Sequence, residues 1–261
     1  MSRTPPMRQS PKAPHKSFNR RPEIHTSVSA ISASSARTDF LHPFCYLHCM
    51  VSASSVCGVI LAAGASTRMG TDKALLPWPP TSPGELPSGT TFLSSAIMSL
   101  LPFNDLVIVV AGNNEAHLAP VTYSNGASLV RNPAPDNGQF SSLQVGLQDV
   151  LNRGRDAAMV TLVDRPPANA ATLQALCAAF MSRPEGIWAV VPEFGGKHGH
   201  PFLIAREMME VFLRAVPTST AREIEHQNQQ HISYVPVDDP AVTLNVDTPQ
   251  DYSALSPTAR N

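Results

Sequence analysis

The sequence predicts an α/β fold, a three-layer sandwich around a mostly parallel, Rossmann-like central sheet, and three observations predict it. Short apolar runs recur at 56–61, 106–111, 157–163 and 187–191, each too brief for a helix and suited to a strand buried on both faces. Between them, at 91–101, 141–151 and 170–181, apolar residues recur at helical spacing. Strands that alternate with helices imply parallel pairing, with helices covering both faces of the sheet. Finally, 43% hydrophobic content over 261 residues is enough to bury a substantial core.

The elements justify themselves in chain order. Residues 1–55 are rich in Ser, Pro, Arg and His without hydrophobic periodicity, too little apolar surface to offset the entropy of ordering. They are expected to be a disordered basic tail, or to reflect an upstream start codon with Met50 as the functional start. Their Arg- and Ser-rich character is like that of an organelle transit peptide, but the Pro content works against the amphipathic helix such a peptide needs. The first strand, 56–61, runs into Ala62-Ala63-Gly64. Beyond 191 the rhythm changes to Gly195-Gly196-Lys197-His198-Gly199-His200-Pro201, a loop feeding a strand at 202–205. Helices are expected at 206–216 and 221–230, then apolar runs at 234–237 and 243–246. A short helix follows, opened by Pro249, which suits a first helical turn. The folded domain is expected over 56–255, with 256–261 as a C-terminal tail. Ligands of such sheets bind at the carboxyl ends of the strands, so chemistry is expected in the loops after Leu61, Ala111, Val163 and Val191.

Charge and cysteine usage exclude several function classes. Residues 1–55 hold seven Lys/Arg against two Asp/Glu, and residues 56–261 hold twelve against eighteen. An acidic body lacks the broad positive field of nucleic-acid binders, so neither DNA nor RNA is expected as a partner. Cys45, Cys49, Cys57 and Cys177 are too few and too scattered for a disulfide framework, which points to a reducing cytoplasm. His42, Cys45, His48 and Cys49 cluster in sequence, but their spacing matches no standard zinc pattern and is read as incidental. No apolar run approaches the roughly 20 residues of a membrane span.

The most informative segment is Leu61-Ala62-Ala63-Gly64-Ala65-Ser66-Thr67-Arg68-Met69-Gly70, with Lys73 just beyond. A strand opening into a loop of small residues lets backbone N–H groups approach an anion, and Gly64 and Gly70 are expected to take conformations closed to bulkier residues. Arg68 and Lys73 could then neutralise a triphosphate; the plainer alternative is a small-residue turn with two exposed cations. The string is neither the GxGxxG dinucleotide fingerprint nor the GxxxxGK[ST] phosphate loop. Asp164, in Asp164-Arg165-Pro166, follows a strand and so stands where a metal ligand is well placed. Asp247, in Asn245-Val246-Asp247-Thr248-Pro249-Gln250-Asp251, could meet it across a cleft or simply cap the helix opened by Pro249. In Asn132-Pro133 and Gly138-Gln139-Phe140-Ser141-Ser142-Leu143 a loop enters a helix, and either serine could cap it.

The string from Leu61 to Lys73 resembles the LAAGxSxRMGxxK signature of the nucleotidyltransferases that share the molybdenum cofactor transferase fold, of nucleotide-diphospho-sugar transferase type. The resemblance covers residues 56–255. Its Leu-Ala-Ala-Gly is similar to the cytidylyltransferase branch, where guanylyltransferases usually carry Leu-Ala-Gly-Gly, so CTP is the implied nucleotide. The resemblance implies nucleotide contacts from Leu61, Ala62, Ala63, Gly64, Ser66, Arg68, Lys73, Asn132, Gly138, Ser141 and Ser142, with Lys73 and Arg68 catalytic. It implies Mg²⁺ on Asp164 and Asp247, since the two segments resemble the family's Asp-Gln-Pro and Asn-x-Asp-Thr-Pro-x-Asp. Gly199-His200-Pro201 resembles a Gly-His-Pro that lies near the acceptor, so Gly199 and His200 are implied acceptor contacts; a lone His before Pro is more often a structural feature. The implied acceptor is a molybdopterin carrying molybdenum, the product its cytosine dinucleotide, and a xanthine dehydrogenase-type molybdoenzyme the recipient. A sugar or polyol phosphate acceptor and a non-catalytic nucleotide-binding module are the alternatives. The chain departs from the pattern at Arg165, where Gln is usual, at Lys197-His198, where Arg precedes Gly-His-Pro, and in a longer Pro-rich connection over 77–89, whose Trp78 is expected to line or cover the cleft.

Overall fold

A computed structural model describes residues 56–64, 70–80 and 89–255, all within the unit Met50–Asn261. The expected tails at 1–55 and 256–261, and the His/Cys cluster at 42–49, lie outside the described residues.

Eight strands form one sheet: β1 (Val56–Leu61), β2 (Leu106–Ala111), β3 (Ser128–Arg131), β4 (Ala157–Leu162), β5 (Ala189–Phe194), β6 (Lys197–His198), β7 (Phe202–Ala205) and β8 (Ile232–Pro236). Their order is β3-β2-β1-β4-β7-β5-β6, and β8 also pairs with β5. The β3-β2-β1-β4 half is parallel throughout, with Val59 level with Ile108 on one side and Val160 on the other. β7 and β6 run antiparallel to their neighbours, and β5 and β8 pair in parallel. The sheet is therefore mostly parallel, as expected.

Side-chain alternation along the buried strands separates two cores. Ile60, Val107, Val109 and Met159 face one side, where α1 (Phe92–Leu100), α2 (Glu115–Ser124) and α4 (Ala170–Met181) contribute Leu93, Ile97, Leu118, Leu173 and Phe180. Val59, Leu61, Val110 and Val160 face the other, against Leu143 and Leu147 of α3 (Gln139–Asn152), Met208 and Phe212 of α5 (Arg206–Arg214) and Ile224 of α6 (Ala221–Gln227). These are the three layers. A Cβ on Gly146 would meet Val59 Cγ1 at 2.8 Å and Val110 Cγ2 at 2.9 Å, so glycine there sets how closely α3 lies on β1 and β2.

Where structure and expectation differ, local chemistry explains it. α2 buries only Leu118 and Thr122 and β3 is a four-residue, half-exposed strand, so neither carries a periodic signal. The strand expected at 187–191 starts at Ala189, because Gly186 turns the chain at φ +87° and Ile187 N–H donates to Pro184. The helix expected at 221–230 stops at Gln227, and a 3₁₀ turn follows at Gln229–His231. The apolar run at 243–246 forms no strand: Pro240–Thr243 is a 3₁₀ turn capped by Asp239, and Val246 N–H donates instead to the Asp164 carbonyl. The closing helix is α7 (Pro249–Ala254).

Candidate active site

Sheet hydrogen bonding continues past the strand ends and carries the loops with it. Ala62 N–H donates to Val110, Val163 N–H to Leu61 and Asn132 N–H to Ala111, at 2.8–3.0 Å. The loops after β1, β2, β3 and β4 thus begin at one edge. Ser66 and Arg68 lie outside the described residues. Gly70 has φ +68°, the left-handed conformation expected of it. Gly64 does not: it is exposed, and a Cβ there would meet nothing within 4 Å. Leu61 and Ala62 are both buried; Leu61, Ala63 and Gly64 line a cleft of about 640 Å³ and Ala62 does not.

Lys73 opens a 3₁₀ turn, Lys73–Leu75, whose cap is Asp72 accepting from Ala74 N–H. It is only 9% exposed, so its ammonium group needs acidic partners. Nζ lies 3.0 Å from Asp247 Oδ1 and 3.6 Å from Asp164 Oδ2. Residues at 73, 164 and 247 therefore converge. The Val246 N–H bond to the Asp164 carbonyl, 3.0 Å, fixes the two acidic segments side by side. Thr248 caps α7, with its hydroxyl accepting from Asp251 N–H, so capping does not account for Asp247. Asp251 instead accepts from the N–H groups of Asp247 and Thr248, holding the backbone while the Asp247 carboxylate meets Lys73 and Asn245 Nδ2. Tyr252 adds an anchor by donating to the Pro77 carbonyl at 2.7 Å.

Burial pushes the Asp164 carboxyl above the usual carboxylate range, against the pull of Lys73 and Arg165. Its Oδ1 is buried with no hydrogen-bond partner among the described residues. A buried acceptor left unmatched is costly, and a hard cation would satisfy it. Two carboxylates side by side, with all-oxygen donors, fit a divalent ion that takes its other ligands from phosphates and water. Among the described residues no group of three or more His, Cys, Asp and Glu could hold a metal, so a cation here would rely on such external ligands.

Three residues that sequence reasoning missed, Asp72, Gly112 and Asn114, brace the first cleft. Asn114, just past β2, accepts from Gly112 N–H and donates to the Ala62 carbonyl and to Asp72 Oδ2. Gly112 permits the approach, since a Cβ would stand 2.7 Å from the Ala63 carbonyl oxygen. The only signal was position: all three lie in or beside loops at strand carboxyl ends. Asn132 is 1% exposed and turns inward; its Nδ2 donates to the hydroxyls of Ser141 and Ser142, each at 2.9 Å, and its Oδ1 accepts from Ala134 N–H. Neither serine caps α3. The cap is Gly138 at φ +91°, without a side-chain bond, and Ser141 donates back to the Gly138 carbonyl at 2.8 Å. Gly138 and Ser142 line the first cleft.

A second cleft of about 880 Å³ shares Leu61, Gly138 and Gln139 with the first. Lys73, Asp164 and Asp247 themselves line neither cleft; their chain neighbours do, Asp72 in the first and Arg165 in the second. His200 lines the second cleft, with its pKa lowered to about 3 by burial and by Arg165; it stays neutral at any physiological pH. Gly199 lines neither cleft. A Cβ on it would collide with the Val242 carbonyl, so the need for glycine is one of packing. Arg165 donates to the carbonyls of Val242 and Leu244, securing the segment that leads to Asp247. Trp78 packs on Phe92, ring centroids 4.6 Å apart, and lines neither cleft, contrary to expectation. Residues 81–88 of its connection lie outside the described residues, and among those described no helix is long and apolar enough to cross a membrane.

Comparison with known proteins places this geometry among relatives. Residues 58–232 match the model of the MobA-like NTP transferase domain. A probable molybdenum cofactor guanylyltransferase of Rhodopirellula baltica is 35% identical over 130 residues, 50% of this chain and 58% of that protein, so the match spans little more than half of that relative. The molybdenum cofactor cytidylyltransferase of Escherichia coli is 26% identical over 201 residues, 76% of this chain and 94% of that protein. Among solved structures, the manganese complex of Rv0371c from Mycobacterium tuberculosis superposes with a TM-score of 0.61 at 25% identity, covering 77% of this chain and 97% of the other.

Proposed function

The chain belongs to the MobA-like NTP transferase family and is a nucleotidyltransferase, and from that premise we propose that it transfers CMP from CTP to the terminal phosphate of a molybdenum-bearing molybdopterin, releasing pyrophosphate. The observation that carries the chemistry is the meeting of Lys73 with Asp164 and Asp247 where the β1 loop begins. The choice of CTP rests on Leu61-Ala62-Ala63-Gly64, since the relatives include guanylyltransferases as well as a cytidylyltransferase. The acceptor is carried over from the names of the relatives.

In this reading the first cleft takes the nucleotide. Backbone at Ala63 and Gly64 approaches the phosphates, and Gly138 and Ser142 form the opposing wall, which Asn132 holds in place from behind. Asp164 and Asp247 would hold a divalent cation, assigned as Mg²⁺; the manganese complex of the structural neighbour supports a divalent ion. When bound, that cation neutralises phosphate oxygens and helps orient them for in-line displacement. Lys73 stabilises charge on the transferring and departing groups, and Arg68 is assigned the same task from sequence. The second cleft, with His200, receives the acceptor. A phosphate monoester has its second pKa near ~6, so it is largely dianionic at neutral pH and attacks without a strong general base. That suits a site whose histidine is neutral and where Lys73 is already paired.

The test is a panel of CTP, GTP, ATP and UTP against molybdopterin, sugar phosphates and polyol phosphates with Mg²⁺, following pyrophosphate. Release with CTP and molybdopterin alone is expected. Release with GTP instead would replace the nucleotide, release with a sugar or polyol phosphate would replace the acceptor, and nucleotide binding without release would mean a binding module. The cytidylylated product would pass to a xanthine dehydrogenase-type molybdoenzyme, and the domain over 56–255 would suffice for turnover.

A further inference from the structure

The second cleft has a charge pattern that these roles leave unused. Arg165, Lys197 and Arg222 are its cations, and among its lining residues Glu225 of α6 is the one acidic side chain. Phe140, Leu143, Val160 and Phe202, all buried, give it an apolar floor. No hydrogen bond to the Glu225 carboxylate is made by any described residue. Burial pushes that carboxyl up to about 7, against the pull of Arg222 one turn earlier on the same helix. Tyr234 of β8 feels the same charge, and Lys197 and His198 of β6 border the cleft. Glu225 is half-buried, and with no N–H donor from the described residues its carboxylate is left to water or to a ligand in a ligand-sized cleft; paired donors on a ligand would match it.

We propose that Glu225 is a specificity-determining residue for the acceptor, accepting paired N–H bonds from the 2-amino-pyrimidinone edge of a pterin. This rests on the reading of the acceptor given above. The 2-amino group and the adjacent ring N–H of a pterin present two parallel donors, the arrangement by which a guanidinium meets a carboxylate bidentately. When ionised, Glu225 is the one residue lining this cleft that offers two equivalent acceptor oxygens and no donor. Arg165, next to Asp164, suits the phosphate end, and Glu225, on a separate element, suits the ring end.

The experiment compares the full chain with its Glu225→Gln, Glu225→Asp and Gln227→Ala variants, the last an exposed position on the same helix. Pyrophosphate release gives KM for molybdopterin and for CTP; binding of 6-hydroxymethylpterin, followed by its fluorescence without nucleotide or metal, gives a readout independent of turnover. Glu225→Gln should raise the molybdopterin KM and the pterin Kd by about 10- to 100-fold, the loss typical of a hydrogen bond to a charged group, with kcat and the CTP KM within about threefold. Glu225→Asp should recover part of the loss, and Gln227→Ala should change nothing. 6-Hydroxymethyllumazine, whose 2-oxo group is an acceptor in place of the 2-amino donor, should bind wild type more weakly than the pterin does and should lose nothing in Glu225→Gln, whose amide can donate to that oxo group. Unchanged molybdopterin KM and pterin Kd in Glu225→Gln, with an active wild type, would overturn this inference and leave the proposed function standing. A wild type that releases pyrophosphate only with another acceptor would overturn both.

Discussion

At the scale of single residues, Lys73 is held where charge would develop in transfer, between two carboxylates and 9% exposed. Replacing it with Ala removes one preorganised electrostatic contact, an effect of about 10² to 10³ in rate. Lys73→Ala should therefore lower kcat by that factor while retaining its far-UV circular dichroism; turnover near wild type would remove Lys73 from the mechanism. Asp164 raises a separate expectation, because its buried Oδ1 lacks a partner among the described residues and burial already disfavours its ionised form. Asp164→Asn keeps the shape but removes a hard anionic ligand, so Mn²⁺ affinity, read by electron paramagnetic resonance of the free ion, should fall at least about tenfold.

At the scale of elements, the site depends on how closely helices and turns seat against the sheet edge. α3 reaches β1 and β2 through Gly146, where a Cβ would press on two valine methyls at 2.8 and 2.9 Å. Ala would gain up to about 1 kcal/mol of helix propensity, against about 1–3 kcal/mol for overpacking, so packing wins. Gly146→Ala should lower Tm by several degrees in a thermal melt; an unchanged Tm would mean the helix can lift without cost. α7 is only six residues long and would not persist alone, but its first turn holds the backbone beneath Asp247 through Asp251. Asp251→Ala should weaken Mn²⁺ binding severalfold although Asp251 contacts neither Lys73 nor Asp164, and unaltered affinity would show that Asn245 and the Val246 N–H suffice.

At the scale of the molecule, two partly enclosed titratable groups on the second cleft act in opposite directions. His200 falls from 6.5 to about 3, so the unfolded chain binds more protons there and stability is lost as pH drops from 6.5 towards 3. Glu225 rises from 4.5 to about 7, so the folded chain holds the extra proton and stability declines as pH climbs from 4.5 to 7. In the window between 4.5 and 6.5 the two offset each other. Glu225→Gln removes one side of the balance: the Tm of the variant minus that of wild type should rise by a few degrees between pH 4.5 and 7 and then level off. A difference flat with pH would mean Glu225 titrates as it does in the unfolded chain.

Residues near one another in sequence determined what could be read without a fold. Leu61 to Lys73, Asp164-Arg165-Pro166 and Asn245 to Asp251 each sit where a buried strand or apolar run ends, and the alternation of runs and helices was enough for the layered sheet. Lone short-range signals failed where the periodic pattern was weak, as in α2 and β3, or where a turn and its cap overrode an apolar run, as at 243–246. Only tertiary structure decided which serine or glycine faces a cleft: Asn132 turns inward to Ser141 and Ser142, Gly199 lies under the Val242 carbonyl, and Asn114 joins two loops 42 residues apart at Asp72. The physical reason is that chain-local chemistry sets propensity and periodicity, whereas the direction of a side chain and the partner of a hydrogen bond depend on atoms that only packing brings together.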